Sequence, residues 1–192
     1  MNKLLSLIDK LYKNGSLSLS EYEYLIENRN EETASILRDL AVKKRKEIYS
    51  DKVFIRGLIE VGNYCKNDCY YCGIRRSNKN CERYRLTYED ILLCCKEGYR
   101  LGFRTFVLQG GEEAFWNDEF LCDLIKEIKA LYPDCAVTLS LGERSCESYQ
   151  KLYNAGADRY LLRHETADSE HYALLHPEAL KLESRITALK KS

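Results

Sequence analysis

The residues of this chain best suited to chemistry are three cysteines, Cys65, Cys69 and Cys72, spaced C-x3-C-x2-C within "NYCKNDCYYCGIRRSN". Thiolates at such short spacing bind zinc or iron-sulfur clusters. A structural zinc site takes four nitrogen or sulfur ligands. The three histidines are His164, His171 and His176, far along the chain. A local fourth ligand would therefore be another cysteine, with Cys81 the nearest. The other solution is an open fourth position. Three thiolates on a four-iron cubane leave one iron free for a substrate or cosubstrate, as catalytic metal sites keep one position open. Zinc, a cubane or incidental thiols are all compatible with these residue types alone.

Three more segments carry polar groups or glycines at the ends of apolar runs. "LQGGEE" (108–113) sets Gly110 and Gly111 after "FVLQ", where missing side chains let backbone come close to another group. "TLSLGERS" (138–145) offers Thr138, Ser140 and Glu143. "GADRYLLRHETAD" (156–168) offers Arg163, His164, Glu165 and Thr166. Arg163 and Glu165 can equally form a rim ion pair of under about 1 kcal/mol.

The elements that must position these residues alternate. Residues 1–50 read as three helices, the first with Leu4, Leu5, Ile8, Leu11 and Tyr12 on one face, the second capped by Ser20 and Glu23, and the third spanning about Glu31 to Tyr49. "KVFIRGLIEV" (52–61) is β-branched and apolar and predicts a strand. Helix (87–102), strand (103–111), helix (117–133), strand (135–142), helix (145–156), strand (158–165), short helix (168–177) and a last helix (from 181) follow. Strands alternating with helices predict a parallel α/β sheet built from about four βα units. A complete eight-unit barrel takes about 250 residues, and only about 140 remain after the helical preface. The expectation is a partial (β/α) TIM-type barrel over 51–192, behind a helical segment 1–50, with an exposed apolar edge on the fourth strand. Ligands of such barrels sit at the strand C-terminal ends, where all four segments fall.

"RGLIEVGNYCKNDCYYCGIRRSN", "LQGGEE", "TLSLGER" and "GADRYLLRHETAD…LHP" together resemble the HydE family of radical S-adenosylmethionine (SAM) enzymes, over about residues 50–190. These are maturases in assembly of the FeFe-hydrogenase H-cluster. The resemblance implies a 4Fe-4S cluster on Cys65, Cys69 and Cys72, with SAM on the open iron and cleaved by one electron to methionine and a 5′-deoxyadenosyl radical. It implies that Tyr71 walls the adenine, that Gln109, Gly110 and Gly111 line SAM, and that the "GGE" acid meets the SAM amino group. Glu165 would bind SAM, Arg185 would hold its carboxylate through a bidentate pair, and Thr138 and Ser140 would lie in the cavity. The implied substrate is a small or organometallic iron-cysteine species passed on by another hydrogenase maturase. Biotin synthases and methylornithine synthase share the cysteine triplet, so another mutase or sulfur-insertion enzyme is the alternative, as is an inactive iron-sulfur or zinc-binding fragment. By the full-barrel expectation such enzymes are about twice this size.

The 192 residues hold 30 basic and 30 acidic side chains. That balance leaves no basic footprint for nucleic acid and none for an anionic membrane surface. No apolar run approaches a membrane span, and the first residues lack a signal-peptide pattern. The expected location is cytoplasmic, where nine cysteines stay reduced. Cys94, Cys95 and Cys122 fall in expected helices as small packing residues, and His171 and His176 are expected at the surface.

Overall fold

The computed structural model describes residues 3–191. Ser192, where the expected domain and last helix end, and Met1 and Asn2 lie outside the described residues. The chain divides into two compact units between Phe54 and Ile55. The first holds α1 (Lys3–Asn14), α2 (Leu19–Glu27) and α3 (Glu31–Tyr49). Leu4, Ile8 and Leu25 form its core, backed by Leu11, Ile36, Leu37 and Leu40. Leu7 is also buried, whereas Leu5 is mostly turned outward. The cap of α2 is Ser18 with Glu21, two residues before the expected pair. Glu21 accepts from the Ser18 N–H at 2.9 Å and pairs with Lys10 at 2.6 Å. That second bond ties the cap to α1, which Glu23 does not do.

The second unit runs β1 (Gly57–Gly62), α4 (Tyr88–Arg100), β2 (Thr105–Gly110), α5 (Asp118–Leu131), β3 (Ala136–Ser140), α6 (Cys146–Ala155), β4 (Arg159–Tyr160), α7 (Ser169–Leu175) and α8 (Leu182–Leu189). The four strands are parallel and lie in chain order, β1-β2-β3-β4. This is the expected partial α/β barrel. Each of α4, α5 and α6 starts on a side-chain cap, Thr87, Asn117 or Ser145, that satisfies an otherwise orphaned N–H. Gly156, in the left-handed region at φ 112°, closes α6.

Two strands are shorter than their sequences suggest. Val53, Phe54 and Ile55 are exposed, and pairing with β2 begins only at Gly57 against Phe106. On β4 only Arg159 and Tyr160 pair with β3, flanked by bonds from the Asp158 N–H to the Val137 carbonyl and from the Leu161 N–H to the Leu139 carbonyl. The ladder stops because β3 itself ends at Ser140 and turns at Gly142. The expected apolar edge on β4 is thereby small: Leu161 is partly exposed and Leu162 is buried.

The two faces of the sheet differ in kind. Ile59, Val61, Phe106, Leu108, Val137 and Leu139 form the outer face and pack on Ile91, Leu121, Leu124, Ile125, Ile128 and Leu152 of the helices. Each such side chain contributes about 1.5–3 kcal/mol by leaving water. The alternate residues point the other way. Register aligns Glu60, Gln109 and Ser140 in one row, and Leu58, Val107, Thr138 and Arg159 in the row below. The inner face is thus polar toward the strand C-terminal ends, where the three cysteines also emerge.

Candidate active site at the strand C-terminal ends

The cysteine loop leaves β1 at Gly62 and is folded by its own backbone. The Cys72 N–H donates to Cys69 at 3.0 Å, and the Arg76 N–H reaches back to Asn67 at 2.9 Å. Glu112 fixes the first half of the loop. Its carbonyl accepts from the Lys66 N–H at 2.7 Å, and its carboxylate takes Lys66 Nζ at 2.7 Å and Asn67 Nδ2 at 3.1 Å. The first acid of "GGEE" thus braces the cysteine loop while also lining the cavity beside it.

The adjoining glycines have a related role. A Cβ on Gly111 would stand 2.1 Å from the Tyr64 carbonyl oxygen and 2.8 Å from Cys65 Cβ, and one on Gly110 would stand 2.9 Å from the Gly62 carbonyl. The absent side chains let β2 press against the base of the loop. A Cβ on Gly142 would collide with the Glu112 side chain at 2.2 Å, so "SLGER" makes room for the acid of "GGEE".

One cavity of about 280 Å³ opens between these pieces. Cys65, Cys69 and Cys72 line it, with Tyr71, Gln109, Gly110, Gly111, Ser140, Glu165 and Arg185. Of the residues expected to hold the cluster or SAM, all but one face the same space, whereas Glu143, His164 and Thr166 of the strand-end segments do not line it. The exception is Thr138, which is absent from that lining. It lies two residues before Ser140 on the same face, roughly 6–7 Å deeper. Its hydroxyl is buried there without a hydrogen-bond partner among the described residues.

Charge in the cavity is unevenly shared. Burial raises the pKa of the Cys69 thiol, and the neighbouring Cys65 and Cys72 raise it further, against a smaller opposing effect of Arg185. Burial also raises that of the Tyr71 hydroxyl, reinforced by the negative charge of the nearby Glu165 carboxylate. Glu165 therefore turns to Tyr71 and not to Arg163. It does so from the left-handed region, at φ 65°, which is costly for a residue with a side chain. Arg185 is mostly buried, which alone would weaken its charge. Glu143, Tyr172 and Glu112 outweigh that and hold it firmly protonated. Its Nε lies 2.8 Å from Glu143 Oε1, although that N–H is not aimed into a hydrogen bond. Ser184 donates to the other Glu143 oxygen at 3.2 Å.

Several site residues were not legible beforehand. His176 is buried, against the expectation of a surface position. It stacks on Tyr172 at 3.9 Å, meets Tyr71 edge-on at 5.5 Å and also lines the cavity. The Tyr70 N–H donates to Leu175, which seats the end of α7 on the loop. Cys81 does not join the thiols; its sulfur accepts from Asn63 Nδ2 at 3.5 Å, outside the cavity lining.

The donor set fits a polynuclear cluster better than a single ion. Among the described residues no three His, Cys, Asp or Glu side chains converge on one metal-sized point. Three thiols spaced around one cavity wall, with a glycine cradle behind them, suit a larger body that bridges them.

Residues 59–191 match the model of the Radical SAM superfamily. The chain is 45% identical, over 78% of its length, to the [FeFe] hydrogenase maturase subunit HydE of Thermotoga maritima, and covers 42% of that protein. It is 29% identical over 81% of its length to the biotin synthase of Staphylococcus epidermidis, of which it covers 50%. Among solved structures, that of HydG, a maturase of the [FeFe]-hydrogenase, superposes with a TM-score of 0.86 at 25% identity, over 98% of this chain and 43% of that one. The chain spans about half the length of the relatives it matches.

Proposed function

Since the chain belongs to the radical SAM superfamily, we propose that its cavity holds a 4Fe-4S cluster on Cys65, Cys69 and Cys72 with SAM beside it, in a HydE-type step of hydrogenase maturation. The observation that carries this reading is the convergence of the three thiols, Glu165 and Arg185 on one cavity. When bound, the cluster and SAM together supply one-electron radical chemistry. The chain's own residues bind and orient. The loop presents three sulfurs and leaves a fourth coordination position to SAM. Arg185, held charged against Glu143, suits a carboxylate. Tyr71, with its hydroxyl held neutral, offers a flat wall to the cavity. Gln109 and Ser140 supply hydrogen bonds from the row beneath.

The polar row of Gln109 and Ser140, completed by Glu60, suits a small polar or organometallic substrate delivered by another maturase. Higher identity to HydE than to biotin synthase favours the maturation reading over sulfur insertion. A cytoplasmic setting is part of the proposal, since it keeps the ligand thiols reduced. No helix among the described residues is long and apolar enough to cross a membrane.

Anaerobic reconstitution with iron and sulfide tests it. The expected result is a reduced 4Fe-4S electron paramagnetic resonance (EPR) signal that shifts when SAM is added. A chain that takes up only zinc, or a cluster indifferent to SAM, would sink the reading.

A further inference from the structure

Glu112 anchors the Cys65 side of the loop, but the Cys72 side has a different long-range tie. The Arg83 guanidinium donates from Nη1 to the carbonyls of Asn63 at 2.5 Å and Ile74 at 2.9 Å. From Nη2 it donates to Arg75 at 2.7 Å and Asn78 at 3.1 Å. Asn63 stands just before the first cysteine, and Ile74 and Arg75 stand just after the last. One planar group therefore joins the entry and exit of the segment that carries all three thiols. Arg83 itself does not line the cavity.

The position of Arg83 is set from the end of β1 and from Asn63, at the entry of the loop, and not from the cysteines themselves. Gly62 bridges Arg85 in antiparallel fashion. The Leu86 N–H reaches Val61 at 2.7 Å, the Asn63 N–H reaches Tyr84 at 3.2 Å, and the Tyr84 N–H returns to Asn63 Oδ1 at 2.9 Å. Residues 82–86 thus lie along the end of β1 and carry Arg83 on a rigid base. Other bonds near Cys72, from Arg75 Nη1 to the Cys72 carbonyl and from Asn78 Nδ2 to the Gly73 carbonyl, are local and move with the loop.

We infer that Arg83 is a positioning residue for the metal cluster: it fixes the spacing of Cys65, Cys69 and Cys72 by closing the loop at its base. This rests on the reading of those thiols as cluster ligands. The chemistry requires arginine. Its planar fork presents several donors in fixed directions, while lysine offers one nitrogen on a flexible stem and cannot serve carbonyls on both sides. Residues that hold metal ligands in place typically change metal affinity about 10- to 100-fold when replaced.

The test compares the wild-type chain with Arg83→Lys and Arg83→Gln, each reconstituted anaerobically with iron and sulfide. Three quantities are read: the unfolding midpoint of the metal-free chain, the rate of iron loss to a chelator, and the EPR spectrum of the reduced cluster. The expected result is a near wild-type midpoint for Arg83→Lys, iron loss about 10- to 100-fold faster in both variants, and an altered spectrum. Wild-type iron retention and spectrum in Arg83→Lys overturn the inference. So does unfolding of both metal-free variants where the wild type stays folded, since Arg83 would then serve the fold and not the cluster. If the wild type itself takes up no iron, the cluster reading of the thiols fails, a result distinct from either.

Discussion

At the scale of single residues, the site depends on atoms that are missing as much as on those present. Gly111 tolerates no Cβ, because the nearest obstacle is the Tyr64 carbonyl, backbone that cannot rotate away. Gly111→Ala should lower the stability of the metal-free chain by about 1–3 kcal/mol, measured by denaturant unfolding, and should reduce iron uptake. An alanine variant with wild-type stability would mean that the loop does not press on β2 as described. Glu165 presents the opposite case. It keeps a side chain where backbone geometry favours glycine. Glu165→Gly should leave the metal-free chain as stable as wild type or up to about 1 kcal/mol more stable, while abolishing the response of the reduced cluster to SAM. Loss of stability would show that the contacts of the Glu165 side chain outweigh the strain.

At the scale of elements, the helices are held at their starts. Thr87 and Asp90 cap α4 reciprocally, at 3.1 Å in each direction. Thr87→Ala should cost about 1 kcal/mol, read as a lower midpoint of the thermal transition, with iron uptake little changed because α4 buries its face against the sheet. The sequence announced this helix well, since its cap and apolar spacing are local. It also placed the four motifs at the strand C-terminal ends, because alternating elements force that topology. It overstated both edge strands. Strand length depends on a neighbour to pair with, and nothing in "DRYLLRHE" reveals that β3 turns away at Gly142. His176 and Arg83 escaped for the same reason: one is buried by Tyr172 and Tyr71, the other grips carbonyls, and neither kind of partner leaves a pattern in sequence. The resemblance placed Thr138 with Ser140, and the structure sets it deeper on the same face, a depth that motif matching does not carry.

At the scale of the whole molecule, protonation and surface set the working limits. Burial pushes the pKa of the Cys95 thiol up to about 12 and that of the Tyr160 hydroxyl up to about 12. For Tyr88, burial together with the Glu127 carboxylate gives about 12 as well. In the unfolded chain these groups release their protons near 9 for cysteine and 10 for tyrosine. Unfolding then releases protons, so their contribution to stability is complete below about pH 9 and is lost as pH rises toward 12. Circular dichroism at rising pH should show a cooperative alkaline transition inside that window; an unchanged midpoint up to pH 12 would contradict the burial of these groups. β1 is an edge strand of the sheet and carries Leu58 more than half exposed. Leu58→Lys should lower concentration-dependent light scattering without altering the EPR response to SAM.

The order of the strands has one further consequence, in time. Because β1 to β4 pair in the order they occur, the sheet can grow strand by strand as the chain is synthesised, N-terminal part first. The ties from Arg83, Glu112 and Gly111 to the cysteine loop are all encoded by residue 113. Glu165 and Arg185 arrive much later. The contacts that hold the cysteine loop from β1, β2 and residues 82–86 are thus synthesised before Leu175, which accepts from the Tyr70 N–H, and before Glu165 and Arg185.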